Sequence, residues 1–250
     1  MRRYTWLGVG LASLSLAAYF GVALTVGFHG PAAHWVAYGE VPVAGPVAQP
    51  ISYWTDLGFI LAGILVLRRL DAPRGRGWMQ RPTVYAVGLG LIIVWMGPAS
   101  MLEHGTLMTN WGWCDASSIH WYGLWVIGYL LTRGIGGLAR PGVFLIAQVA
   151  AWLGVGAYTW GHEEGRQRVT LIILTLTILA VPPSLIWPRR RFPPVAWAWF
   201  GAILATFGAA GVFLVGGAQG GWAAPWGHGV WHLLSAVAMY LSFRMLECDQ

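Results

Sequence analysis

The sequence predicts an all-α fold: a polytopic membrane helical bundle with a seven-span core (spans two to eight) and one N-terminal span. Three observations predict it. Hydrophobic residues make up 57% of the 250 residues and charged residues only 10%, against about 25% charged in a soluble domain. Apolar stretches long enough to cross about 30 Å of hydrocarbon at 1.5 Å per residue recur along the chain. The basic residues, all Arg, fall in short clusters between those stretches, as the positive-inside rule leads one to expect. Net charge is +6 and mean hydropathy +0.59. That basic balance is therefore a topology signal and not a nucleic-acid footprint. Arg without Lys is the composition of a GC-rich bacterial genome.

Eight spans follow in order, at 4–27, 50–67, 83–106, 114–132, 141–159, 168–187, 194–216 and 224–244. Turn-prone or charged segments separate them: Gly30-Pro31, Asp71 to Pro82, Arg140-Pro141, Gly161 to Arg168, Pro188 to Pro194 and Gly216 to Gly221. Arg2 and Arg3 precede span one. Arg68, Arg69, Arg74, Arg76 and Arg81 follow span two. Arg133 and Arg140 follow span four, Arg189 to Arg191 follow span six, and Arg244 closes span eight. The alternate connections hold only Arg166 and Arg168. Both termini are expected in the cytoplasm of a bacterial cell, in its inner membrane. Span one is too long for a signal-peptide core and lacks a small-x-small cleavage site. It reads as an anchor (1–28) ahead of a single domain (50–246), and its cleavage would leave the orientation unchanged. Trp111, Trp113, Trp121, Trp160, Trp222 and Trp226 fall near expected outer ends and read as an interfacial belt. Cys114 and Cys248 form no disulfide framework and are expected on opposite sides.

Polar residues inside spans carry the functional information, because each is costly there unless paired or hydrated. Ser100 and His104 in span three are four apart and share a helix face about 6 Å long. Pro98 is expected to kink that span. His228 and His232 in span eight repeat the four-residue spacing, by which two imidazoles on one face bind one metal ion. Ser235 continues their stripe. Asp115 opens span four, a short connection from His104. His120 lies a turn and a half deeper and either supports the site or packs. Ser52, Thr55 and Asp56 form a polar face near the outer end of span two, where Asp56 is expected to support the site and not to react. Topology places all these groups at one depth, near the periplasmic face. Three neutral imidazoles with one open position form a catalytic zinc set. Zn2+ fits better than haem, which needs ligands on opposite faces, or a soft copper site. His29, His34 and His162 read as solvated loop residues.

The order Ser100-Met-Leu-Glu-His104, then Asp115, then His228-Gly-Val-Trp-His232 resembles the signature of the CREST superfamily. That group includes the alkaline ceramidases and the adiponectin-receptor type of seven-span protein. The resemblance covers about residues 50–246. It implies a zinc held by His104, His228 and His232, with a metal-bound water near Asp115 and Ser100. Ser52-Tyr-Trp-Thr55-Asp56 is similar to the first core span of the ceramidase branch, where Asn, Ser and Asn are usual. The acidic calcium-binding segment of that branch has a poor counterpart here, with Glu40 alone and Gln49 in place of an acid.

The expected activity is zinc-dependent hydrolysis of an amide or ester bond in a lipid-like substrate taken from the bilayer. Asp115 acts as general base and then acid, and Ser100 donates to the water or the developing oxyanion. An alternative is a non-enzymatic receptor or scaffold with a structural zinc. A proton-coupled transporter fits less well, because it needs polar residues through the whole depth and the inner halves of the spans are almost purely apolar.

Overall fold

The computed structural model describes residues 2–26, 39–43, 45–134, 140–160, 162–186, 192–218 and 221–249. Expectations for His29, His34, Gly30-Pro31 and Arg189 to Arg191 lie outside the described residues. Those residues form helices and no strand: α1 (Arg3–Val26), α2 (Pro50–Thr55), α3 (Leu57–Leu70), α4 (Val84–Thr106), α5 (Thr109–Gly134), α6 (Pro141–Thr159), α7 (Glu163–Ile186), α8 (Pro194–Gly217) and α9 (Gly227–Leu246).

Six segments among the described residues are long and apolar enough to cross a membrane: Pro50–Leu70, Val84–Thr106, Pro141–Thr159, Glu164–Ile186, Pro194–Gly217 and Gly227–Leu246. The sequence reading expected eight. Helix α5 has the length, but its first half carries Asn110, Asp115, Ser117, Ser118 and His120, which dilute its hydropathy. Helix α1 packs against α3 and α4. The expected second span is two helices that meet at Asp56, whose backbone stays in the right-handed region at φ −62°.

Local chemistry sets the helix ends. Pro50, Pro141 and Pro194 open α2, α6 and α8, where a missing N–H costs nothing and φ is already helical. Thr83 Oγ1 caps α4 by accepting the Ala86 N–H at 3.3 Å. Helix α4 runs through Pro98 and stops at Leu107, which turns left-handed at φ 54°. Leu107 N–H donates to the Glu103 carbonyl at 2.7 Å. Only Leu107 and Met108 separate α4 from α5, so the end of one and the start of the other share one end of the bundle.

Burial is uneven. Some 72% of the apolar window of α4 lies inside the protein, against 17% for α7 and for α8. Helix α4 is therefore the central post, while α6, α7 and α8 turn most of their surface outward, as lipid-facing spans do. Helix α3 packs against both α4 and α9, and α2 touches the same two helices.

The end of the bundle where α3, α5 and α9 finish is held by charge. Arg69 grips the Glu247 carboxylate through Nε and Nη2, the shortest bond being 2.7 Å. Arg244 Nε reaches the same carboxylate at 3.0 Å. Arg133 pairs with the buried Asp249 at 2.5 Å, and Tyr129 donates to it at 2.8 Å. Asp71 accepts the Tyr4 and Thr5 amides at the start of α1, at 2.7 and 3.0 Å. Cys248 lies at this end and Cys114 in the second turn of α5 at the other, both free.

Removing one partner of a mostly buried, bidentate pair leaves the other charge without its donors or acceptors. Glu247→Ala should therefore lower stability by about 1–3 kcal/mol, read as a lower melting temperature of the detergent-solubilised protein. Glu164→Ala breaks only the solvent-exposed bridge to Arg168 and should leave the melting temperature unchanged.

Candidate metal centre

Three imidazoles meet at the end of the bundle opposite the charge clamp. His104 stands in the last turn of α4, His228 in the first turn of α9 and His232 one turn further on. All three are buried. Ring centroids are 4.9 Å apart for His104 and His228, 5.0 Å for His104 and His232, and 4.4 Å for His228 and His232. One ring nitrogen from each lies within 4.8 Å of the other two. The three residues come from two distant parts of the chain, as the spacing predicted.

The hydrogen-bond network fixes which nitrogens face inward. Gln49 Nε2 donates to the Glu40 carbonyl at 2.9 Å, which leaves Gln49 Oε1 facing His104 Nδ1 at 2.8 Å. An amide oxygen only accepts, so Nδ1 carries the proton and Nε2 of the neutral ring holds a lone pair. His232 Nδ1 sits among acceptors: Asp56 Oδ1 at 3.0 Å, the Ser52 carbonyl at 3.2 Å and Thr55 Oγ1 at 3.2 Å. Thr55 spends its own proton on the Ile51 and Ser52 carbonyls. Nδ1 of His232 is therefore the protonated nitrogen too, and its Nε2 is buried with no hydrogen-bond partner.

A buried lone pair without a donor costs about 1–3 kcal/mol. Here His232 Nε2 joins His104 Nε2 and His228 Nε2, which are 3.2 Å apart. Two nitrogens bound to one tetrahedral zinc at 2.0–2.1 Å are about 3.3 Å apart. The three imidazoles are thus arranged so that they could hold a metal ion. Each ring held by a carboxylate or amide oxygen at its far nitrogen has the tautomer that binding requires.

A cavity of about 430 Å³ opens beside the imidazoles. His104 and His228 line it together with Asp115, Glu103, Arg166 and Trp231. Asp115 is thus brought to the centre by the tight α4–α5 connection. Glu103 is in electrostatic reach of both Asp115 and Arg166. Thr170, Leu171, Leu214 and Trp231 also line a second cavity of about 370 Å³. It continues between α5, α7, α8 and α9 past Ile178, Phe200, Ile203 and Phe207. A larger apolar cavity of about 580 Å³ between α1, α4, α5 and α6 contains none of the three imidazoles, so size alone does not mark the site.

The remaining predicted residues divide. Asp56 touches His232, as expected of a supporting carboxylate. Ser100 is one turn before His104, buried beside Asp56 with no well-formed hydrogen bond on Oγ. Ser235 is buried and its Oγ likewise has no partner. His120 bonds Thr170 Oγ1 at 2.8 Å and so ties α5 to α7, and Thr170 lines the cavity beside His104 and His228. His162 is exposed, as expected. Trp121 is a correction: it lies halfway along α5 and stacks on Trp152 at 5.1 Å, and does not belong to an end belt. Sequence reasoning missed Gln49 as a partner of His104, Glu40 as a partner of Gln49, and Glu103 as a cavity residue. An acid inside a span was the available signal for Glu103.

No protein-family model matches this sequence, and no curated protein is significantly similar to it. The functional reading therefore rests on the geometry of the site.

His232→Ala should abolish retention of a metal ion, measured by elemental analysis of protein purified without chelators. Asp56→Asn keeps the three ligands but weakens the acceptor on His232, and should cost about 10–100-fold in metal affinity, measured by competition with a chromogenic chelator.

Proposed function

We propose that this protein is a membrane-embedded, zinc-dependent hydrolase that cleaves an amide or ester bond in a lipid-like substrate, in the manner of the alkaline ceramidases. The observation that carries the proposal is a cavity lined by Asp115 and by the cluster's His104 and His228, which shares Thr170, Leu171, Leu214 and Trp231 with an apolar cavity between α5, α7, α8 and α9. Three protein ligands beside an open space are the pattern of a catalytic zinc, whereas structural zinc sites close with four. The order of the motifs around Ser100, His104, Asp115, His228 and His232 supports the same reading.

His104, His228 and His232 would hold the zinc. Bound there, it supplies Lewis acidity, polarising a carbonyl and lowering the pKa of a water molecule toward about 7. Asp115 and Glu103 are the carboxylates that line the cavity, and Asp115 is the one taken as the general base. It takes the proton of the attacking water and returns it to the leaving nitrogen or oxygen. The Ser100 hydroxyl steadies the oxygen on which charge develops. Asp56 and Gln49 keep His232 and His104 in their metal-binding tautomers. The apolar cavity takes a hydrocarbon tail, and the sparse contact of α7 with α8 gives that tail a path from the bilayer.

The Arg-rich end of the bundle, with Arg69, Arg133 and Arg244, belongs in the cytoplasm by the positive-inside rule. That puts both termini inside and the imidazoles near the periplasmic face of a bacterial inner membrane.

The deciding experiment is release of fatty acid from a panel of N-acyl and O-acyl lipids by purified protein. Asp115→Asn should retain zinc and lose turnover by about 10²–10⁴-fold. Ser100→Ala should also retain zinc, with a loss of about 10²-fold. Zinc retention with equal background release from wild type and Asp115→Asn across the panel would instead assign the protein as a receptor or scaffold with a structural metal.

A further inference from the structure

Glu40 is an acid with an unusual set of attachments. It lies outside the spans, yet is only 3% exposed. Its Oε1 accepts the Ile51 N–H at 2.6 Å. Its Oε2 accepts both the Ser52 N–H at 2.8 Å and the Ser52 hydroxyl at 2.6 Å. These are first-turn amides of α2, which have no partner within the helix and favour an anion. The Glu40 carbonyl accepts Gln49 Nε2 at 2.9 Å. One residue therefore fixes Gln49 through its main chain and Ser52 through its side chain.

Both of those residues reach the imidazoles from the α2 side, beside Thr55 and Asp56 on His232. Gln49 Oε1 meets His104 Nδ1, and the Ser52 carbonyl meets His232 Nδ1. The two rings belong to different helices, α4 and α9. Gln49 is further held by its own N–H, which donates to the His104 carbonyl at 2.9 Å. The strap that carries Glu40 is anchored beside the end of α8. Gly39 has φ +79°, and a Cβ there would collide with the Gly217 carbonyl.

We propose that Glu40 is a positioning residue for the metal centre: it holds Gln49 and Ser52, whose oxygens orient His104 and, together with those of Thr55 and Asp56, His232 from outside the helices that carry them. The proposal rests on reading the three imidazoles as a metal centre. With Glu40 in place, the Gln49 amide has one orientation and His104 one tautomer. Without its carboxylate the first turn of α2 loses its cap. Ser52 and Gln49 then relax, and His104 can place its proton on the nitrogen that should bind metal. An acid at this position therefore acts on ligands it does not touch.

The test uses full-length protein in detergent, with zinc affinity from chelator competition and the visible spectrum of the cobalt(II)-loaded protein. Glu40→Gln should weaken zinc binding by about 10–100-fold and change the cobalt spectrum, while Glu40→Asp restores part of both. A double-mutant cycle with Gln49→Met covers the case in which Glu40→Gln folds poorly. If Glu40 acts through Gln49, Glu40→Asp costs less in the Gln49→Met background than alone. Wild-type affinity and an unchanged cobalt spectrum in Glu40→Gln, or additive losses in the cycle, would overturn the proposal alone. Failure of wild type to bind zinc or cobalt would overturn the metal centre and this proposal with it.

Discussion

Three buried imidazoles turned toward one another are the constraint on which the rest of this structure depends. Nothing in an apolar bundle favours that arrangement by itself, because polar nitrogens are costly to bury unless they are paired. The chain nevertheless assembles it from the end of α4 and the start of α9, and aligns His104 and His232 with acceptors on their outer sides. The strap that precedes α2 and the polar residues of α2 meet two of those rings from outside the helices that carry them. A metal ion held between the rings would offset the cost of burying them, and the hydrogen bonds on His104 and His232 already set the tautomers of those two.

The fold divides its work between two ends. At one, Arg69, Arg133 and Arg244 bind Glu247 and Asp249 and fix where α3, α5 and α9 finish. At the other, the short turn at Leu107 and Met108 brings Asp115 up beside His104. Between them α4 is buried along most of its length, while α6, α7 and α8 face outward. The imidazoles stand on α4 and α9, which are well buried, and the apolar cavity opens toward the outward-facing α7 and α8.

Much of this was legible in the sequence because a membrane makes polar residues expensive. Only a few ionisable groups interrupt the apolar runs, so His104, Asp115, His228 and His232 stood out, and four-residue spacing put each pair on one face. Asp56 was legible for the same reason. Gln49 and Glu40 were not, because they lie outside the spans, where polar residues carry no penalty and so no signal. Their meaning depends on how a strap folds back over α2, which spacing does not encode. Trp121 was misplaced because an indole in mid-helix and one at an interface look alike until α6 is seen to cover it.

Helix α9 is a rod fastened at both ends, by His228 and His232 at one and by Glu247 just beyond the other. Its rotation about its own axis is thereby set, since each residue advances an α-helix by about 100° and 1.5 Å. A single insertion or deletion between Leu233 and Leu246 would swing one fastening a quarter-turn away from its partners. This stretch should accept exchange of one apolar side chain for another far more readily than any change in its length.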